Sequence, residues 1–131
     1  MKILIVEDDF AGRKLLQKIM SDYGDYDVVV DGEEALDAFK YAWDEGDPYD
    51  LILLDIMLPK KDGQTVLKEI RNIEKERGLI GLNGVKIIMI TALNDAKNIM
   101  EAFNSQCEAY IPKPVDRIKL IEEIRNLGFS V

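Results

Sequence analysis

The chain has 131 residues, 47% of them apolar and 32% charged. That length suits one domain, spanning 1–131, and the apolar fraction is too high for a disordered chain. Basic residues number 17 against 25 acidic ones, a net charge of −8, which argues against DNA or RNA as a direct partner. The sequence has no histidine and one cysteine, Cys107. Serine–histidine catalysis, imidazole metal ligation, an internal disulfide and a cysteine metal cage are thereby excluded. Cys107 is expected to be a small buried apolar residue. Chemistry is left to carboxylates, hydroxyls, lysine and the backbone.

Lys2–Val6 reads as a buried strand that runs into three acids. It is too short for a signal peptide, and no apolar run nears the roughly 20 residues of a membrane span. The expectation is a cytoplasmic chain with no membrane insertion. Leu15, Leu16, Ile19 and Met20 mark a first helix, and Tyr26–Val30 a second strand. Ala35, Ala38, Phe39 and Ala42 mark a second helix, with Asp31 as its N-cap and Glu34 three residues on. Leu51–Leu54 is a third strand, and Val66, Ile70 and Ile73 mark a third helix. Residues 77–84 are rich in glycine and read as a loop. Val85–Ile90 is a fourth strand, followed by a helix marked by Ala96, Ile99, Met100 and Phe103 and capped by Asn94 or Asp95. A weaker strand, Ala109–Ile111, precedes a fifth helix that opens after Pro114 and carries Val115, Ile118, Ile121 and Ile124. Strands that are apolar throughout imply a sheet covered on both faces. The βα order, five times over, predicts an α/β fold of three layers, doubly wound around a parallel sheet.

Such sheets bind ligands at the carboxyl ends of their strands. Glu7, Asp8 and Asp9 follow the first strand, Asp55 the third, Thr91 the fourth and Lys113 the fifth. Taken singly, each suits a cap, a turn or a solvated surface. Together, three acids, a hydroxyl and an amine converge on one rim. Clustered carboxylates suit a hard divalent cation, and Mg²⁺ best, because it keeps waters that a phosphate can displace. Lys113 can neutralise phosphoryl charge and Thr91 can donate to it. A central carboxylate can itself be the nucleophile, forming an acyl phosphate. Asp55 is the candidate, since its strand is expected in the middle of the sheet.

The chain resembles the receiver domain of two-component response regulators over essentially its full length. Five motifs in order carry the resemblance: Val6-Glu7-Asp8-Asp9, Leu53-Leu54-Asp55-Ile56-Met57-Leu58-Pro59, Asp62-Gly63, Ile90-Thr91-Ala92 and Tyr110-Ile111-Pro112-Lys113-Pro114. The resemblance implies a flavodoxin-like five-stranded sheet of order 2-1-3-4-5. It implies a phosphoacceptor switch, with Asp55 phosphorylated by a histidine kinase or histidine phosphotransfer protein. Mg²⁺ would be held by Asp8, Asp55 and the backbone carbonyl of Met57, with Glu7 acting through a water. Thr91 is implied as the switch hydroxyl, Lys113 as the phosphate-binding lysine after which a cis peptide is expected, and Tyr110 as the aromatic that reports the state. The output would be a surface of residues 95–127 that binds an unknown partner. The chain itself would be no enzyme beyond its own phosphotransfer and dephosphorylation.

Two other phosphate-handling classes fit poorly. A phosphoaspartate hydrolase of the haloacid-dehalogenase kind needs a second acid where Met57 stands. A flavin module needs hydroxyls, not acids, after the first strand. An alternative within the family is the amino-terminal receiver of a longer DNA-binding or enzymatic regulator. Gln106 departs from the family's frequent glycine before the last strand, the 77–84 loop is long, and Asp9 is an acid the metal scheme does not need.

Overall fold

The computed structural model describes residues 1–79, 84–92 and 96–131. Ten elements alternate in chain order: β1 (Lys2–Val6), α1 (Phe10–Met20), β2 (Asp25–Val29), α2 (Gly32–Asp44), β3 (Leu51–Asp55), α3 (Gly63–Glu76), β4 (Lys86–Ala92), α4 (Ala96–Asn104), β5 (Ala109–Lys113) and α5 (Arg117–Asn126). The strands form one parallel sheet of order β2-β1-β3-β4-β5, with β3 at its centre, as expected. The Asn94 or Asp95 cap and the middle of the 77–84 loop lie outside the described residues.

Side chains that alternate along the strands feed two separate cores. Leu4, Val6, Ile52, Leu54, Ile87 and Met89 pack under α2, α3 and α4, together with Phe39, Val66, Leu67 and Ile70. Ile3, Ile5, Leu51, Leu53, Ile88 and Ile90 face α1 and α5, against Leu16, Ile19, Leu120 and Ile124. Cys107 sits in the first core, and burial pushes its thiol up to about 11, so it remains the small apolar residue expected.

Several boundaries and faces differ from the sequence reading. β2 begins at Asp25, ends at Val29 and is only partly covered, because it is an edge strand and alternates. β4 and β5 run two residues further than expected, so Thr91 and Lys113 lie within strands and not after them. Pro112 is tolerated inside β5 because that strand is the other edge. α5 opens at Arg117 under an Asp116 cap, leaving Val115 outside the helix. Ile118 is 70% exposed, and Leu120 takes its place beside Ile121 and Ile124. In α4, Met100 and Phe103 are exposed and Ala102 is the buried residue. Leu15 of α1 is likewise exposed.

Gln106 occupies the left-handed region with φ +72°, in the turn that joins α4 to β5. A side chain costs about 1 kcal/mol there, which glycine avoids. The Gln106 carbonyl accepts from Arg71 Nε at 3.0 Å and Nη2 at 2.7 Å, so the turn is held by its neighbour despite the strain. Gln106→Gly is expected to raise stability by about 0.5–1 kcal/mol, after the extra freedom glycine gains in the unfolded chain. Urea denaturation of the two chains measures it; a destabilised variant contradicts the assignment of strain.

Candidate functional site

Each site residue reaches the rim because a buried strand ends there. β1 stops at Val6, whose partner across the sheet is Leu54, so Glu7 and Asp55 fall side by side. Asp55 pairs with Ile90, which places Thr91 one step further along β4. Ala92 pairs with Lys113, bringing the lysine to the same end. The Lys113–Pro114 peptide is cis, as expected.

Glu7, Asp8 and Asp55 each offer a carboxylate oxygen, and the three lie within 4.8 Å of one another. Glu7 and Asp55 are buried, whereas Asp8 is exposed. Lys113 Nζ stands 2.9 Å from Glu7 Oε1 and 2.9 Å from Asp55 Oδ2, bridging the buried pair. The backbone N–H of Met57 donates to the other Asp55 oxygen at 3.1 Å. The loop that follows doubles back tightly, and Gly63 N–H donates to the Ile56 carbonyl at 2.8 Å. A Cβ at Gly63 would collide with the Asp55 backbone carbonyl, so only glycine allows α3 to start this close.

One ammonium does not neutralise this cluster. Burial raises the Glu7 carboxyl to about 7, helped by its hydrogen bond to Asp55 and that residue's negative charge; Lys113 opposes the rise. Burial alone would lower the Lys113 amine, but its bonds to Asp55 and Glu7 outweigh that and raise it. The donor set is all oxygen, crowded and open to water at Asp8. That is what a hard divalent cation requires and what a thiol- or imidazole-seeking metal does not.

Asp9, the third acid, is not in the cluster. Its side chain caps α1, accepting from Gly12 N–H at 2.8 Å. Thr91 is buried at the rim, one residue beyond Ile90, the register partner of Asp55. Tyr110 is 39% exposed, and its ring meets Phe103 edge-on at 5.9 Å. The reading of the sequence missed Gln64, which is buried against α4, and Arg71, which ties α3 to β4 and to the turn before β5. Both lie with Lys68 on a polar side of α3 flanking Val66, Leu67 and Ile70, and a search for apolar periodicity passes over them.

A doubly wound sheet of order 2-1-3-4-5 with its polar rim at the carboxyl ends of the strands defines a flavodoxin-like α/β protein. The response regulator receiver domain matches residues 3–125, and the chain belongs to that family. A probable transcriptional regulator, ycf27, of Porphyridium aerugineum is 37% identical over 96% of this chain and 47% of its own length. The osmosensing histidine protein kinase SLN1 of Saccharomyces cerevisiae is 31% identical over 91% of this chain and 9% of its own. The chain thus spans half or less of the length of these relatives. Among solved structures, the CheX–CheY–BeF3–Mg complex of Borrelia burgdorferi aligns with a TM-score of 0.83 at 28% identity, covering 99% of this chain and 90% of that one. The complex of the Saccharomyces cerevisiae phosphotransfer protein Ypd1 with the Ssk1 receiver domain gives a TM-score of 0.83 at 30% identity, covering 98% and 88%. Among the described residues, no helix is long and apolar enough to cross a membrane.

Glu7 keeps its proton up to about 7 in the folded chain, against 4.5 in an unfolded one. Folding therefore takes up protons between those values, and stability falls as pH rises across them. Without metal, the melting temperature is expected to drop from about pH 5 to about pH 7.5, and Glu7→Gln to flatten that drop. A divalent ion competes with the same proton, so Mg²⁺ should bind roughly tenfold more tightly near pH 8 than near pH 6. Calorimetric titration at the two pH values checks this; equal affinities contradict the Glu7 assignment.

Proposed function

We propose that residues 1–131 act as one receiver unit whose Asp55 accepts a phosphoryl group. A single observation carries the reading: Lys113 Nζ lies 2.9 Å from both Asp55 and Glu7, inside a carboxylate cluster completed by Asp8. The donor is a phosphohistidine of the kind a histidine kinase or phosphotransfer protein carries. Acceptance by a receiver from a phosphotransfer protein is the relation suggested by the Ypd1–Ssk1 complex. An oxygen of the Asp55 carboxylate bonds to phosphorus, the P–N bond breaks, and the departing imidazole takes up a proton.

Asp8 and Asp55, with the Met57 carbonyl, would hold Mg²⁺, and Glu7 would act on it through a water. The ion supplies positive charge to the phosphoryl oxygens. Lys113 pairs with one of those oxygens, exchanging a carboxylate partner for a phosphoryl one. Met57 N–H, already on an Asp55 oxygen, holds the nucleophile's orientation. Thr91 turns its hydroxyl to another phosphoryl oxygen. Its inward shift opens room into which Tyr110 moves from its half-exposed position. The surface that changes is that of residues 95–127, and an output protein reads it.

Asp55→Asn is expected to lose labelling by acetyl phosphate and Mg²⁺ entirely, read by intact-protein mass; labelling equal to the parent's overturns the assignment. Asp8→Ala should remove the rise in melting temperature that Mg²⁺ gives the parent. Thr91→Ala should still take up phosphate at Asp55 but leave the amide signals of β5 and α5 unmoved by beryllofluoride. A variant whose signals there shift as the parent's do contradicts the role given to Thr91.

A further inference from the structure

α4 is the helix least held by apolar burial. Ala102 is its one fully buried residue among those described, while Met100 and Phe103 face outward. What joins it to α3 is a polar seam. Gln64, Lys68 and Arg71 recur at i, i+4 and i+7, so they share one face of α3. Gln64 Nε2 donates to the backbone carbonyl of Asn98 at 2.6 Å. Lys68 pairs with Glu101 at 2.9 Å, but both side chains are about half exposed, and such pairs contribute little. Arg71 donates twice to the Gln106 carbonyl, once to the Val85 carbonyl, and pairs with Glu74 and Glu108.

The two ends of α4 are therefore held differently. At its C-terminal end, Arg71 ties the turn to the residues that open β4 and β5 with several bonds, those to Glu74, Val85 and Glu108 part-buried and the two to the Gln106 carbonyl exposed. Towards its N-terminal end, nearer Thr91 in the chain, Gln64 supplies a single part-buried bond. Gln64 is itself anchored where it can feel the site, because it follows Gly63, whose N–H is bonded to Ile56 next to Asp55. Its second polar atom, Oε1, is buried with no hydrogen-bond partner among the described residues. A buried acceptor left unpaired is unfavourable, so this arrangement combines one bond made with one bond missing.

We propose that Gln64 is a positioning residue that latches the N-terminal half of α4 to α3 in the conformation with Tyr110 outward, and that α4 pivots about the Arg71-held turn when the latch opens. The proposal rests on the phosphoacceptor reading of Asp55 and adds to it the element that sets how readily the switch moves. A bond made in one conformation and lost in the other biases the equilibrium toward the first. Removing it lowers the cost of leaving that conformation.

Gln64→Met keeps the length and most of the volume of the side chain and deletes both polar atoms. Gln64→Glu keeps the shape but replaces the donor with an acceptor facing the Asn98 carbonyl. Both chains, and the parent, are titrated with beryllofluoride and Mg²⁺ and followed by amide shifts of residues 96–113. Hydrogen exchange of α4 is measured without ligand. The expected result is beryllofluoride affinity ~3- to 10-fold tighter in both variants, with faster exchange at Asn98 to Ala102. A purely structural role would change melting temperature and leave that affinity where it was, and equal or weaker binding by the variants overturns the latch. A parent that ignores beryllofluoride overturns the phosphoacceptor reading, and the latch with it.

Discussion

Everything at the rim follows from placing three carboxylates within 4.8 Å of one another with a single ammonium among them. Charges this close and partly out of water cannot all persist without a counter-ion. The protein meets the conflict in two ways: Lys113 bridges the buried pair, and Glu7 holds a proton to about pH 7. The remaining imbalance is what makes the site receptive to a divalent cation. A parallel sheet is well suited to create the conflict, since the carboxyl ends of its strands all lie on one side, and Glu7, Asp55 and Lys113 stand at or just past those ends.

The layers and the strand order were legible because β1, β3 and β4 are apolar runs buried on both faces, as a doubly covered sheet demands. The order itself came from family resemblance, since alternation of elements fixes no neighbour. The gathering of Glu7, Asp8, Asp55 and Lys113 on one rim was legible because strand ends can be counted along the chain. Less legible were positions decided by tertiary context. Ile118 and Met100 fit a helical stripe and yet face outward, because α4 and α5 lie at the margins of the sheet beside its edge strand β5. Asp9 shares the composition of its neighbours and does different work, since one residue of offset turns it from the cluster to the cap of α1. Gln64 and Arg71 were hidden by lying on a polar side of α3, where a pattern of apolar residues is blind.

That polar seam gives α4 a character unlike the other helices. α2 and α3 bury broad apolar faces and should open only with the whole domain. α4 is held by directional bonds to a few named atoms. Bonds of this kind are few and separately addressable, so single substitutions along the seam reach α4 without touching the apolar cores. Strain in the Gln106 turn and the Arg71 bonds that hold it there stand at the end that stays fixed.

The two edge strands have a further consequence, for the protein in a crowded solution. A five-stranded apolar sheet presents unpaired backbone groups along β2 and β5, and a second chain could extend the sheet at either border. On β2, Asp25 and Asp27 bring negative charge to that border. On β5, Pro112 has no N–H to offer and the chain then turns through a cis peptide, which shortens the stretch able to pair. Each border thus discourages strand addition by different means, one by charge and one by a missing donor. A neighbour is left to dock on side chains and not on backbone, and contacts of that kind can be made and released without joining the sheet.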